Sequence, residues 1–208
     1  MKLVLDNLST IIFDLGGVLI NLDVNRSVES FASLSGLSGE EVYSKFIDDE
    51  WSYAFEKGEI DAPTFRNEVR KSLNTDLSDK QIDASWNAML LELPLIRLQM
   101  IAGLRDKFQT FILSNTNAIH VETFNNKVAT ITDGGHISDY FDKVYYSHEL
   151  GMRKPDAEIF SHVIQANNLK PSETLFIDDM EINIRGAKSV GLRTVHLSDQ
   201  DYLIELFS

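Results

Sequence analysis

Cysteine is absent from this 208-residue chain, which excludes disulfide bonds and thiolate chemistry. No apolar run approaches the length that spans a bilayer. Asp6 and Asp14 interrupt the N-terminal apolar stretch, and no cleavage site follows it, so a signal peptide is not expected either. Together these absences predict a soluble protein with a cytoplasmic location.

Basic residues are scarce as well, because 19 Lys and Arg face 32 Asp and Glu, for a formal net charge of −13. Nucleic acids and anionic membranes are bound by clustered positive charge, so neither is an expected partner. A small anionic substrate remains possible, since a local metal ion and a lysine outweigh distant, screened charge. The oligomeric state is left open.

Four short apolar runs each lead to a polar residue of chemical interest: Asp14 after TIIF, Ser114 after FIL, Lys154 beyond VYYS, and Asp178 after LFI. Strands of this kind alternate with helical segments, which predicts right-handed βαβ units and a parallel sheet. The carboxyl ends of parallel strands lie along one edge, where ligands bind in open α/β sheets. The fold class expected is α/β, with a doubly wound, Rossmann-like parallel sheet.

Residues 22–93 differ from the rest, since they show helical periodicity and no convincing strand. Capping-box pairs at Ser38 with Glu41 and at Ser78 with Gln81 mark two helix starts. The segment is therefore predicted to hold four or five short helices, inserted as an all-helical cap. Residues 1–21 and 94–208 would form the core domain, and the stretch from the strand TFILS to about residue 141 is expected to be less regular.

Asp14, Asp178 and Asp179 are expected to meet at the edge of the sheet. Two unit charges 4 Å apart repel by about 4 kcal/mol at an effective dielectric constant of 20, and a bound cation removes that penalty. Hard carboxylate oxygens suit Mg²⁺, which also takes a phosphate oxygen from a substrate. The histidines form no HxxxH or HxH pair that would favour another metal.

Ser114, Asn115 and Lys154 could hold a phosphoryl group, although a polar turn and a surface lysine are the ordinary structural explanations. A hydroxyl and backbone N–H groups at a strand end bind phosphate oxygens. A lysine there could neutralise the phosphate and orient the nucleophile. Arg153 could act similarly but is the weaker candidate.

The motifs FDLGGVL, LSNTN, RKP and IDDMEIN occur in this order over nearly the whole chain. In this the chain resembles the haloacid dehalogenase-like hydrolase superfamily, which consists mainly of Mg²⁺-dependent phosphatases. The residues of these motifs are most similar to those of bacterial sugar-phosphate phosphatases of the glucose-1-phosphate type. The helical insertion directly after the first motif fits the same resemblance.

The resemblance implies a role for each matching residue. Asp14 would be the nucleophile that forms an aspartyl-phosphate, while Ser114, Asn115 and Lys154 hold the transferring group. Mg²⁺ would bind Asp14, the backbone carbonyl of Gly16 and Asp179, with Asp178 supporting or sharing that ligation. Asn183 would lie behind these ligands and orient a metal-bound water.

Gly16 departs from the family pattern, which usually has at this position an aspartate that protonates the leaving group. Such a group contributes about 10²–10⁴-fold to the rate. The substrate could have a good leaving group, or Glu56 on the insert could substitute, or the protein could be slow or inactive. Trp51, Tyr53, Phe55 and Glu56 could line the substrate pocket, although for the aromatic residues the core of the insert is the ordinary explanation.

Three functions follow. The leading one is a phosphoric monoester hydrolase that uses Mg²⁺ and acts on a small phosphorylated metabolite, a sugar phosphate. The second is a non-catalytic protein that binds a phosphorylated metabolite, which Gly16 keeps open. The third is a metal-independent haloacid dehalogenase, against which the pair Asp178 and Asp179 argues.

Overall fold

The structure is a computed structural model that describes residues 6–47 and 50–207, apart from the side chain of Ile47. Residues 1–5 and 208, which the predicted core domain includes, lie outside the described residues. The strands are β1 Thr10–Phe13, β2 Gln109–Ser114, β3 Lys143–Tyr146, β4 Thr174–Asp178 and β5 Arg193–His196. The α-helices are α1 Val24–Ser35, α2 Gly39–Ile47, α3 Glu50–Glu56, α4 Ala62–Leu73, α5 Asp79–Asn87, α6 Leu95–Leu104, α7 Ala118–Ile131, α8 Ser147–Leu150, α9 Ala157–Ala166, α10 Glu181–Ser189 and α11 Tyr202–Leu206.

The five described strands form one parallel sheet in the order β3-β2-β1-β4-β5. The central strands β1 and β4 are buried along their whole length, which is why their sequences are continuous apolar runs. Phe13 is in register with Ile112 and Ile177, so β1, β2 and β4 end side by side. The predicted α/β fold class is confirmed.

The two faces of the sheet are covered by separate hydrophobic clusters. Successive residues of β1 point to opposite faces, so Ile11 and Phe13 belong to one cluster and Ile12 to the other. Helices α6, α7 and α11 contribute to the first cluster, and α9 and α10 contribute to the second. Because helices cover both faces of the sheet, the edge at the carboxyl ends of the strands is where loops can form a site.

Helices α1 to α5 pack around a third cluster, which is rich in stacked aromatic rings. Both expected capping boxes are present, at Ser38 with Glu41 before α2 and at Ser78 with Gln81 before α5. The five helices agree with the number expected for residues 22–93. Ile119 of α7 also belongs to this cluster, so the apolar packing continues from the insert into the core. The division into two domains stays a prediction.

Two chain segments join the insert to the core, and they run side by side. The Asn21 N–H donates to the carbonyl of Glu92 at 2.9 Å, the Leu91 N–H to that of Asn21 at 2.9 Å, and the Asp23 N–H to that of Met89 at 3.0 Å. These bonds tie the two connections into one unit next to the first motif.

The expectation of a less regular stretch before residue 141 is wrong, because it contains α7, which at 14 residues is the longest described helix. The buried positions His120, Phe124 and Val128 are spaced as in a helix. A histidine at the first of them and the polar pair Asn125 and Asn126 conceal that period in the sequence. No helix in the described ranges is both long and apolar enough to cross a bilayer.

Candidate active site

Asp14 lies directly after β1 and is held there by two hydrogen bonds. Its backbone N–H donates to the carbonyl of Ile177 at 2.9 Å, and its Oδ1 accepts from the Leu15 N–H at 2.6 Å. The Lys154 Nζ lies 2.9 Å from the same Oδ1. Asp14 is buried, so its carboxylate has a fixed position and a cation as its neighbour.

Asp178 is the last residue of β4, the strand beside β1, and Asp179 follows it. One carboxylate oxygen each of Asp14, Asp178 and Asp179 lie within 4.8 Å of one another, a set that could hold a metal ion. The Lys154 Nζ donates to Asp178 Oδ2 at 2.7 Å, so a single ammonium group contacts two of the three carboxylates. Three hard oxygen donors that meet at one point fit the predicted Mg²⁺.

The three carboxylates differ in their electrostatics. Burial raises the pKa of Asp14 well above its usual value, and the charges of Asp178 and Asp179 add to that rise against the pull of Lys154. Burial opposes the ionisation of Asp178 too, but Lys154 and the Met180 N–H and Asn183 amide donors hold its pKa below the usual value. Burial and the charge of Asp178 raise the pKa of Asp179. Asp178 is therefore the carboxylate that ionises most readily of the three. A bound cation would stabilise the ionised forms of Asp14 and Asp179 most.

Asn183 donates to Asp178, and its predicted role behind the metal ligands stays a prediction. Its Nδ2 lies 3.0 Å from Asp178 Oδ1 and 3.1 Å from Oδ2, and the Met180 N–H donates to Oδ1 at 2.8 Å. With Lys154 on Oδ2, both oxygens of Asp178 are engaged. The structure thus places Asp178 as the residue that orients Lys154, and leaves Asp14 and Asp179 as the freer donors.

Ser114 and Asn115 lie at the end of β2, next to Lys154. The Asn115 Nδ2 donates to the Lys154 carbonyl at 2.9 Å, and the Lys154 N–H donates to Asn115 Oδ1 at 2.9 Å. The side chain of Asn115 is thereby committed to fixing the lysine backbone. The Ser114 hydroxyl is buried, and its one hydrogen bond within the described ranges is a long contact of 3.5 Å to the Asn115 carbonyl.

Glu56, at the end of α3, forms an ion pair with Arg153. Its Oε2 accepts from Arg153 Nε at 3.2 Å and Nη2 at 2.9 Å. The guanidinium of Arg153 lies over the ring of Tyr53, 4.4 Å from its centroid. Trp51 and Phe55 instead pack against Phe65 in the insert cluster, as the ordinary structural explanation of these aromatics requires.

Gly16 and Gly17 have side-chain neighbours that restrict what could replace them. A Cβ on Gly16 would lie 2.6 Å from Leu22 Cδ1, the end of a flexible side chain that lies against this position. Gly17 has φ of +73°, and a Cβ there would lie 2.3 Å from Asp179 Oδ2. The close approach of the first motif to Asp179 therefore requires glycine at position 17.

Ser147 is a site residue that the sequence analysis did not single out, because it was only the last residue of the apolar run VYYS. Its Oγ accepts from the Thr116 N–H at 2.9 Å and lies 2.6 Å from the Glu56 carbonyl, to which it can donate. It is fully buried. Ser147 joins the loop after β2 to helix α3 of the insert, a link that depends on tertiary structure alone.

The fold and this cluster of carboxylates and lysine define a haloacid dehalogenase-like hydrolase. The model of that family matches residues 8–191, and the chain belongs to the family. The resemblance noted from the four motifs is confirmed.

Among its relatives is a D-ribitol-5-phosphate phosphatase of Bacteroides thetaiotaomicron, 32% identical over 187 residues that cover 90% of each protein. A solved haloacid dehalogenase family enzyme from the same organism, a magnesium complex, is 38% identical with a TM-score of 0.85 and covers 92% of this chain and 93% of its own. L-2-haloacid dehalogenase of Xanthobacter autotrophicus is 18% identical with a TM-score of 0.63, covers 95% of this chain and 81% of its own, and shares the fold alone. The named phosphatase agrees with the predicted class of phosphoric monoester hydrolase.

Proposed function

We propose that the protein is a Mg²⁺-dependent phosphatase that hydrolyses a small sugar or polyol phosphate through an aspartyl-phosphate on Asp14. The observation that carries this proposal is the position of Lys154, whose ammonium lies 2.9 Å from Asp14 and 2.7 Å from Asp178 beside a third carboxylate. A nucleophile, a cation and a metal-ligand set thus share one edge of the sheet, as phosphoryl transfer requires.

In the first step, a carboxylate oxygen of Asp14 attacks the phosphorus and the bond to the ester oxygen breaks. Lys154, oriented by Asp178, stabilises charge on the phosphoryl oxygens, and the Ser114 hydroxyl and nearby backbone N–H groups hold the group in place. Mg²⁺, held by Asp14 and Asp179, would supply further positive charge to the same oxygens. In the second step, water attacks the phosphorus, and the bond to Asp14 breaks to release phosphate.

The leaving alkoxide must take its proton from water or from the substrate, because position 16 has no side chain and Leu22 occupies the adjacent space. Glu56 is a poor substitute, since its carboxylate is in an ion pair with Arg153. We therefore expect faster turnover of substrates whose leaving group has a low pKa.

The choice of a sugar or polyol phosphate rests on the relative that hydrolyses D-ribitol 5-phosphate, which matches this chain over 90% of both lengths. In the same proposal, residues 22–93 are a cap domain over the core formed by residues 1–21 and 94–208. Glu56 and its neighbours on α3 would then face the substrate side of the core loops.

Phosphate release from a panel of esters tests the proposal, with leaving groups from acyl and anomeric to primary alcohol and ribitol 5-phosphate included. We expect Mg²⁺-dependent turnover that EDTA stops and that Asp14→Asn abolishes. Acid quench during the first turnover, before water releases the phosphate, should trap phosphate covalently bound to the wild-type protein. Activity that survives EDTA would contradict the metal-dependent mechanism.

A protein that only binds phosphorylated metabolites is the second candidate, and Gly16 is the observation that favours it. In that case the same panel would show Mg²⁺-dependent binding by calorimetry without phosphate release. Acetyl phosphate separates the two candidates best, because it needs no proton donor for its leaving group.

A further inference from the structure

Helix α3 of the insert contacts the two loops that carry the phosphate-binding residues. The Ser147 hydroxyl lies 2.6 Å from the Glu56 carbonyl, and the same hydroxyl accepts from the N–H of Thr116. Beyond the helix, a Cβ on Gly58 would lie only 2.1 Å from the His148 carbonyl oxygen, so backbone touches backbone. The end of α3 thus packs directly on α8, the helix after β3, and is linked through Ser147 to the loop after β2.

Arg153 is the strongest of these links, and it directly precedes Lys154. Two of its N–H groups donate to one oxygen of Glu56, at 3.2 and 2.9 Å, and its guanidinium lies over the Tyr53 ring. About a quarter of each charged side chain is exposed, so the pair is partly shielded from water. Charge-assisted bonds and an aromatic face fix the guanidinium on α3.

Lys154 is accordingly held from two sides. On the core side, the side chain of Asn115 bonds both its backbone N–H and its carbonyl. On the insert side, the adjacent Arg153 is fixed to α3. The ammonium between these anchors reaches Asp14 and Asp178.

We propose that Arg153, through Glu56 and Tyr53, is a positioning residue for Lys154, so that the geometry of phosphoryl transfer depends on the seated position of α3. This inference rests on the proposed phosphatase function and adds a residue and a dependence that the four motifs do not specify. Misplacement of a catalytic group by about 1 Å can lower a rate about 10²-fold, so a link one residue from Lys154 can control kcat.

The test is a double-mutant cycle of Glu56→Gln, Arg153→Met and the two combined, assayed with acetyl phosphate and with a sugar phosphate. We expect each single variant to lower kcat about tenfold for both substrates, with KM nearly unchanged. The double variant should be no slower than either single one, because the two residues act as a unit.

Arg66→Met is the matched control, since Arg66 forms a comparable ion pair with Asp83 inside the insert, at 2.8 Å. It should leave kcat unchanged. If Glu56→Gln and Arg153→Met keep full kcat and raise only KM for the sugar phosphate, Arg153 merely holds the insert over the substrate and the proposal is overturned. The proposal is also overturned if the two single-variant losses of kcat multiply in the double variant.

Hydrogen exchange keeps the test independent of activity. If the wild type hydrolyses no ester, the proposed function fails, while the positioning role is still measured by amide exchange over residues 147–154. We expect exchange there to quicken about tenfold or more in Glu56→Gln and not in Arg66→Met. Unchanged exchange in Glu56→Gln would overturn the link between α3 and the Lys154 loop.

Discussion

Asp178 and Asp179 are adjacent residues with different surroundings. Asp178 is fully buried and accepts bonds from Lys154, Asn183 and the Met180 N–H. Asp179 is only partly buried, and the charge of Asp178 helps to raise its pKa. The first carboxylate is therefore a structural partner of Lys154, and the second is the one whose charge a bound cation would offset.

Asp178→Asn should destabilise the protein without metal, whereas Asp179→Asn should not. Removal of one partner of a buried ion pair costs about 3–5 kcal/mol, and we expect the lower figure because Lys154 keeps Asp14. In Asp179→Asn we expect the Mg²⁺ concentration for half-maximal activity to rise about tenfold or more. Urea unfolding in EDTA and Mg²⁺ titrations of the rate measure the two effects, and equal losses of stability would contradict this division.

The pair Gly16 and Gly17 allows a similar comparison. In Gly17→Ala the new methyl group meets the Asp179 carboxylate in a left-handed backbone conformation, which costs about 1–3 kcal/mol. It should also raise the Mg²⁺ requirement, because Asp179 must move. Gly16→Ala meets only the end of the flexible Leu22 side chain and should be milder in both assays. A Gly17→Ala protein with normal Mg²⁺ affinity would show that Asp179 is not a metal ligand.

Sequence could predict which site residues lie at strand ends, because one apolar run before Asp14, Ser114 or Asp178 fixes that position. It could not predict the partner of each side chain. Asn115 bonds the Lys154 backbone across 39 residues, and Glu56 bonds Arg153 across 97. Such pairs depend on how distant loops approach each other in the folded protein, and this cannot be predicted from a local sequence pattern.

At the scale of elements, the seating of α3 depends on the turn after it. Gly58 has φ of +68°, and its missing Cβ would lie 2.1 Å from the His148 carbonyl oxygen. The neighbouring atom belongs to the backbone, which cannot move aside as the end of a flexible side chain can, so Gly58→Ala must shift α3 away from α8. We expect lower stability and lower kcat.

Gly36→Ala is the matched control, because Gly36 also has a positive φ, of +74°, but nothing lies within 4 Å of its Cβ position. Its loss of stability should be only the left-handed penalty, about 1–2 kcal/mol, with unchanged kcat. Thermal or urea unfolding compares the two variants directly. An equal loss in both would mean that contact with His148 does not constrain α3.

Elements with strong local signals were predictable, and those without them were not. Three helices of the insert have a clear start signal in the sequence: a capping box before α2, another before α5, and a proline in the first turn of α4. Helix α7 begins at Ala118, and the side chain of the preceding Asn117 caps it by accepting from the His120 N–H. Its buried stripe starts with a histidine, so the apolar period is recognisable only once the packing of that ring is known.

At the scale of the molecule, the insert and the core share a polar and aromatic junction between α5 and the start of α7. The His120 ring stacks on Trp86 of α5, with centroids 5.2 Å apart, and its Nδ1 lies 2.7 Å from Asn87 Oδ1. The Trp86 Nε1 donates to Asn117 Oδ1 at 3.4 Å. Apolar packing through Ile119 continues the contact, so the stability of the two parts is linked there.

His120 should make that stability depend on pH. Burial lowers the pKa of His120 from 6.5 to about 3, so the folded state keeps the ring neutral while the unfolded state binds a proton below pH 6.5. The contribution of the neutral ring is complete above pH 6.5 and is lost as pH falls towards 3, by at most about 1.4 kcal/mol per pH unit.

In His120→Asn, which keeps an amide to face Asn87, the free energy of unfolding should vary less with pH between 6.5 and 4.5 than in the wild type. Urea unfolding at several pH values measures the difference in slope, in which the titration of the carboxylates common to both proteins cancels. His136→Asn is the control, since the only bonds that His136 makes in the described ranges are with its near neighbours Ser138 and Asp139 in an exposed turn. If both variants kept the wild-type slope, the His120 ring would be protonated in the folded state, and the junction between α5 and α7 would have to admit a charge.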